Sequence, residues 1–224
     1  MGKRFPEFVV NPSDVVRDYG ADTLRLYEMF MGPLEVSKPW SDQGVEGAKR
    51  FLNRVWAFFT EPDNVVEGEA PALEKIYHKS VKKITEDFEK LAFNTAISQM
   101  MIFVNAVYKE GKCPKAYAEG LVKMLSCICP HIGEELWQIL GHNDTIAYES
   151  WPTYDEAKTA DDSVEVALQI NGKLRGTIML PMNCAREDAI AAAKADERIA
   201  SAIEGKMVVK EIAVPNKIVN IVVK

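Results

Sequence analysis

The feature that most constrains this chain is a change in the spacing of its apolar residues near Ser163. Before Ser163, apolar residues recur every three or four positions, which is typical of amphipathic helices. After it, they alternate with polar residues, as in half-buried strands. We therefore predict a multidomain α+β chain, in which an antiparallel helical bundle precedes a small ββαββ domain over residues 164–224.

The helical part contains six apolar stripes separated by glycine and proline. Asn11-Pro12 marks the first helix start, and Pro130 opens the last helix. One stripe places Trp56 in the core together with its neighbours Val45, Ala48, Leu52, Val55 and Phe59. On the following helix, we expect Lys82, Lys83 and Asp87 on a solvated outer face.

The strand part begins with alternation from Val164 to Ile170, followed by Asn171-Gly172. That dipeptide is the strongest short hairpin signal, because a type I′ turn needs two residues at positive φ. We predict a return strand over 173–180, one helix over 186–204, and two more strands over 206–214 and 217–223.

No catalytic or metal-binding motif accompanies these elements. The four cysteines form no C-x-x-C pair, so we expect reduced thiols, no zinc site and a cytoplasmic protein. His131 and Glu135 share a helix face with Glu134 beside them, and helix capping explains them better than metal binding. No apolar stretch is long enough to cross a membrane.

The charges are unevenly distributed along the chain. Residues 164–224 carry nine Lys/Arg and seven Asp/Glu, or +2, and the rest of the chain carries −8, within a total of −6. Arg50 and Arg54 lie one turn apart, either on a solvated helix face or in contact with phosphate. Lys173 and Arg175 follow the hairpin turn and leave the same two readings open. Lys206, Lys210 and Lys217 add positive charge to the same domain.

Aromatic side chains are missing from the strand part. No Phe, Tyr or Trp follows Tyr154, so stacking on nucleobases is disfavoured there. If this domain binds nucleic acid, readout of phosphates or of overall shape remains.

Several separate blocks carry a resemblance to a known family. They include RFLNRVW at 50–56, PHIGEELW at 130–137 and QINGKLRG at 169–176, together with segments 9–25 and 27–35. In these blocks the chain resembles the bacterial leucyl-tRNA synthetases, which are class I aminoacyl-tRNA synthetases. The resemblance covers nearly the whole chain from Val9 onward.

The resemblance implies a division of the chain. Residues 1–12 correspond to a remnant of the signature-loop region, where Lys3 is a weak match to the loop's second lysine and Gly2 replaces a serine. Residues 13–155 correspond to the anticodon-binding-type bundle of class I synthetases, 156–163 to a linker, and 164–224 to a small C-terminal tRNA-binding domain.

The resemblance also implies an activity and partners. The full-length enzyme attaches leucine to tRNA(Leu) with ATP and Mg²⁺, through catalytic and editing domains that lie upstream of this segment. We expect the chain alone to bind tRNA, but no cofactor, membrane or DNA, and to be inactive as a ligase. The expected RNA contacts are Lys173, Arg175, Lys206, Lys210, Lys217, Arg50 and Arg54.

Three other interpretations stay open. The chain could be the C-terminal part of a sibling synthetase for isoleucine, valine or methionine, although the Asn171-Gly172-Lys173 block favours leucine. It could be a helical-bundle module for protein interaction, which predicts no tRNA binding even at low salt. It could also be an intact enzyme of unknown type, which predicts pyrophosphate exchange with leucine and ATP by this chain alone.

Overall fold

The structure is a computed structural model that describes residues 9–160 and 163–224. Lys3 and the other predictions made for residues 1–8 lie outside the described residues. The chain is helix-rich α+β and divides into two compact units, one ending at Thr159 and the other beginning at Ala160.

The first unit is built from seven helices within its described residues. The side chain of Asn11 caps the first of them by accepting from the N–H of Ser13 at 3.0 Å, as the Asn-Pro signal predicts. A two-residue parallel pair joins β1 (Val65–Val66) to β2 (Cys113–Pro114). The helices are α1 (Pro12–Tyr19), α2 (Ala21–Phe30), α3 (Asp42–Phe59), α4 (Pro71–Glu89), α5 (Phe93–Glu110), α6 (Lys115–Ser126) and α7 (Pro130–Ile139).

The core of this unit differs from the predicted stripes at two positions. Trp56 is 41% exposed, because α3 turns Phe51 and Phe58 inward instead. Asp87 was expected on the outer face of α4 but is only 5% exposed. Lys83 compensates this burial, since its Nζ lies 2.5 and 2.7 Å from the two carboxylate oxygens of Asp87. These two expectations were therefore wrong.

After α7, the chain returns along α4 as a nearly extended segment. Short 3-10 helices form at Ile146–Tyr148 and Glu156–Thr159. Residues 151–159, which we call the strap, are bound to α4 by side-chain contacts. Part of the predicted linker, Glu156–Thr159, thus lies on the first unit.

The second unit is a four-stranded sheet with helices packed on one face. Its strands are arranged in the order β4-β3-β6-β5, with β3 and β6 parallel and the other pairs antiparallel. The elements are β3 (Ser163–Ile170), β4 (Lys173–Pro181), α8 (Arg186–Ala195), α9 (Glu197–Ile203), β5 (Val208–Val214) and β6 (Ile218–Val223).

The single helix expected over 186–204 is two helices. Asp196 has an extended backbone (φ −67°, ψ 126°), and its side chain accepts from the N–H of Arg198 at 3.0 Å. Asp196 therefore ends α8 and caps α9, because an Asp side chain competes with helical backbone hydrogen bonds. The break lets Ile190 and Ile199 both reach the sheet, where they are buried with Leu168.

Membrane insertion finds no support in the helices. None of those in residues 9–160 and 163–224 combines the length and the apolar character that a bilayer span requires.

Candidate nucleic-acid interface

The hairpin between β3 and β4 has the geometry that its sequence predicts. Asn171 and Gly172 have φ values of 49° and 78°, so both occupy the left-handed region that a type I′ turn requires. The Asn171 side chain also clamps β6, because its Oδ1 accepts from Val223 N–H at 3.0 Å and its Nδ2 donates to Val223 O at 3.2 Å. The turn is thus held against the sheet.

Lys173 and Arg175 follow this turn on the edge strand β4. Lys173 lies opposite Ile170, whereas Arg175 is the extra residue of a β-bulge between Leu174, opposite Gln169, and the next paired residue. Both cationic side chains are exposed, and neither has an ion pair or hydrogen bond with another described residue. The hairpin therefore presents two available positive charges to solvent.

Gly176 receives a protein side chain. A Cβ at Gly176 would lie 2.2 Å from Nη1 of Arg198, which therefore rests on the bare backbone of β4. The same guanidinium donates to Thr177 O at 2.9 Å and to Asp196 Oδ2 at 2.7 Å. The absence of a side chain at Gly176 is explained by packing within the domain, not by the approach of a ligand.

The three remaining predicted lysines of this unit lie at different ends of the sheet. Lys206 lies near the hairpin end, since the backbone of its neighbour Met207 pairs with Lys224, next to the residue that Asn171 clamps. Its Nζ donates to Ala202 O at 2.8 Å. Lys210 lies on β5, opposite Val222.

Lys217 is separated from this group. It precedes β6, six residues before Val223, and six strand residues span roughly 20 Å. The sheet thus brings Lys173, Arg175, Lys206 and Lys224 toward one end and leaves Lys217 at the other.

Charges in the second unit are sorted by element. Two cations are paired with acids: Lys194 with Glu211, and Arg198 with Asp196. Among the residues that the structure describes, the cations without an ion pair all lie on strands or turns: Lys173, Arg175, Lys206, Lys210, Lys217 and Lys224. Four acids without an ion pair lie instead on or directly after the helices: Glu187, Asp188, Glu197 and Glu204. Unpaired positive charge is therefore carried by the sheet.

Arg50 and Arg54 of α3 have different surroundings. Arg54 is held by α5: its Nη1 donates to Asn105 Oδ1 at 2.9 Å, and its guanidinium lies 4.6 Å from the ring centre of Tyr108. The Arg50 side chain is exposed and has no hydrogen bond or ion pair with any residue of the described part. Arg50 is therefore the more available of the two for phosphate.

The first unit also contains an open cleft that the sequence patterns did not indicate. The cleft measures about 560 Å³ and lies between the α1–α2 junction, α3 and α7. Lys49 closes one side by donating from Nζ to Tyr19 O at 3.0 Å. Asn53, Trp56 and Glu135 line the cleft as well.

Asp22 at the edge of this cleft caps α7 from a distant part of the chain. Its Oδ2 accepts from Ile132 N–H at 2.8 Å, and its Oδ1 lies 2.8 Å from Nδ1 of His131. Glu134 accepts from the Thr145 hydroxyl and from the N–H of residue 146. His131 and Glu134 thus have structural partners, and residues 9–160 and 163–224 contain no group of three metal-binding side chains.

Comparison with known proteins adds a family to this geometry. Residues 72–190 match the family described as the anticodon-binding domain of tRNA ligase. The fold is similar to the agnB2 LeuRS of Agrobacterium radiobacter K84, solved in a ternary complex with tRNA and LeuAMS, at a TM-score of 0.75 and 32% sequence identity. That match covers 96% of this chain and 30% of the LeuRS chain, so this chain spans less than a third of that relative's length. The chain belongs to the family of anticodon-binding domains of tRNA ligases.

Proposed function

We propose that this chain is the tRNA-binding C-terminal part of a leucyl-tRNA synthetase of class I. The parent enzyme would attach leucine to tRNA(Leu) with ATP and Mg²⁺, through upstream catalytic and editing domains. The similarity to a LeuRS that was solved with tRNA supports this proposal, as do the sequence blocks at 50–56, 130–137 and 169–176.

One observation carries the proposal: the unpaired cations of the second unit lie on its strands and turns, and its unpaired acids lie on its helices. A net charge of +2 over residues 164–224 understates this asymmetry. Because the field near a surface depends on the nearest charges, the sheet attracts a polyanion even though the whole chain carries −6.

The mode of binding follows from the side chains available. Guanidinium and ammonium groups bind phosphate oxygens, and the second unit has no aromatic ring on which a base could stack. We infer that Lys173, Arg175, Lys206 and Lys210 contact the sugar–phosphate backbone of a folded tRNA and read its shape. Lys217 would contribute only to an RNA that reaches the far end of the sheet.

Arg50 would supply a separate phosphate contact from the first unit. Arg54 is a weaker candidate, since its guanidinium already bridges to Asn105 and Tyr108. Under this proposal, Arg50→Ala weakens tRNA binding more than Arg54→Ala does. Lys3 stays a prediction for the parent enzyme's ATP site.

The test is binding of a tRNA(Leu) transcript over a series of salt concentrations. Each lost phosphate contact lowers the slope of log affinity against log salt by about 0.7 to 0.9. The double variant Lys173→Ala/Arg175→Ala should therefore weaken binding and lower the slope by about 1.5 to 2. Lys194→Ala is the matched control, because it removes a cation of the same unit that is already paired with Glu211.

The outcomes separate the competing interpretations. An unchanged slope in the double variant would remove Lys173 and Arg175 from the interface. Absence of any tRNA binding at low salt would favour a protein-interaction module. Equal or stronger binding of tRNA(Ile), tRNA(Val) or tRNA(Met) than of tRNA(Leu) would favour a sibling synthetase.

A further inference from the structure

The cleft of the first unit contains an exposed tryptophan. Trp56 lies on α3 where the apolar stripe predicts a core residue, yet 41% of it is exposed and it lines the cleft. Its indole makes no aromatic ring contact within residues 9–160 and 163–224. A volume of about 560 Å³ lies within the range of small-ligand pockets, roughly 300–1,000 Å³. The cleft therefore offers a flat apolar surface with room for a planar group.

The polar groups around Trp56 are divided between structural and available ones. Asp22 is used as the cap of α7, and Lys49 is used to bind Tyr19 O. Asn53 and Glu135 line the same cleft, and neither side chain has a hydrogen-bond partner among the described residues. They leave an amide, which both donates and accepts, and a carboxylate, which accepts.

The charges indicate which part of a ligand would enter. Lys49, Asp22 and Glu135 together give the cleft no excess positive charge, so it does not suit a phosphate group. Arg50 lies three residues before Asn53 on α3, and residues three apart are neighbours on a helix surface. Its available guanidinium at the border of the cleft does suit a phosphate.

We propose that this cleft binds one unstacked nucleobase of an RNA loop. Trp56 stacks on the base, Asn53 and Glu135 hydrogen-bond its edge, and Arg50 contacts the adjoining phosphate. A carboxylate that only accepts hydrogen bonds favours adjacent N–H donors, which guanine presents at N1 and N2. This inference rests on the proposed tRNA binding and adds to it a base-specific contact made by the helical unit.

The first experiment measures affinity for a tRNA(Leu) transcript in Trp56 variants. Removing a stacking ring weakens single-base binding roughly 5- to 100-fold, so Trp56→Ala should lose affinity by a factor in that range. Trp56→Phe should retain most of the affinity, because it keeps an aromatic face. Tyr148→Ala is the matched control, since Tyr148 is a 91% exposed aromatic of the same unit that does not line the cleft.

The second experiment identifies the base by chemical probing of the bound tRNA. We expect one guanine to be protected by the wild-type chain and to become reactive with Trp56→Ala and with Asn53→Ala. Glu135→Gln should reduce the preference for guanine when that nucleotide is changed to adenine. Asn53→Ala removes only a side chain without a described partner, so it tests the cleft even where Trp56→Ala does not fold.

Two results would overturn the inference, and they differ in what they say of the proposed function. If the wild type binds tRNA and neither Trp56→Ala nor Asn53→Ala changes affinity or protection, the cleft does not hold a base, while tRNA binding stands. If the wild type binds no tRNA at low salt, both the proposed function and the cleft inference fail.

Discussion

The backbone N–H of Asp155 donates a hydrogen bond to Nδ1 of His78, 3.1 Å away, and so binds the strap to the middle of α4. The contact belongs to a row along one face of α4. Glu74 pairs with Lys158 at 2.5 Å, Lys82 pairs with Glu156, and Thr85 accepts from the Trp151 indole at 2.8 Å. The chain therefore remains attached to the helical unit until shortly before the second unit begins.

This contact makes attachment of the strap dependent on pH. Burial, and secondarily the nearby charge of Lys158, lower the pKa of His78 below 6.5, whereas Glu74 and Asp155 act in the opposite direction. Nδ1 accepts a hydrogen bond only when it carries no proton. Because the released state binds the proton more readily, attachment is complete above pH 6.5 and weakens as the pH falls toward the lowered pKa.

Hydrogen exchange at the Asp155 amide between pH 8 and pH 5 checks this prediction, after correction for the intrinsic dependence of exchange on pH. Protection should fall with pH in the wild type. His78→Gln keeps an acceptor that does not titrate in this range, so its protection should stay constant. An equal pH dependence in that variant would assign the effect to another group.

Asp22→Ala should destabilise the helical unit by about 1–3 kcal/mol, because it leaves the buried N–H of Ile132 without an acceptor and removes the partner of His131. Asp22→Asn retains an acceptor and should cost less. All four tryptophans precede residue 152, so urea unfolding followed by tryptophan fluorescence reports on this unit. Equal midpoints for Asp22→Ala and the wild type would contradict the capping role.

Gly120→Ala should destabilise the same unit by about 1–3 kcal/mol through overpacking. A Cβ at Gly120 would lie 2.0 Å from the hydroxyl oxygen of Tyr77, whose ring stacks on Tyr117 at 4.1 Å and cannot move freely. Gly47→Ala is the control in α3, where only the end of Arg50 lies within 4 Å. Helix propensity alone should make that variant more stable by up to about 1 kcal/mol, so the two changes should have opposite signs in urea titration.

Asn171→Ala should loosen the hairpin that carries Lys173 and Arg175. The change removes both hydrogen bonds to the backbone of Val223 and places a side chain with no polar group at φ 49°. Asn171→Gly removes the hydrogen bonds but tolerates the backbone conformation, so it should have an intermediate effect. The measurement is NMR hydrogen exchange of the Val223 amide, for which we expect protection in the order wild type, Gly, Ala. Unchanged protection in both variants would show that the clamp contributes nothing.

Local signals in the sequence were sufficient for much of the fold. The Asn11 cap, the Asn171-Gly172 turn and the alternation from Val164 to Ile170 all appear in the structure close to their predicted positions. Each depends on residues a few positions apart, whose backbone preferences are strong enough to act without tertiary contacts. The change of period near Ser163 likewise coincides with the onset of β3.

Only the tertiary structure decided the positions that depend on distant partners. Asp22 became the cap of α7 from 110 residues away, Arg54 was drawn to α5, and Lys217 was separated from the other lysines by the order of strands in the sheet. Trp56 became exposed beside a cleft for the same reason. Periodicity gives the side of a helix on which a residue lies, but the neighbours packed on that side come from the whole chain, and they determine whether the side chain is buried, bonded or free to bind.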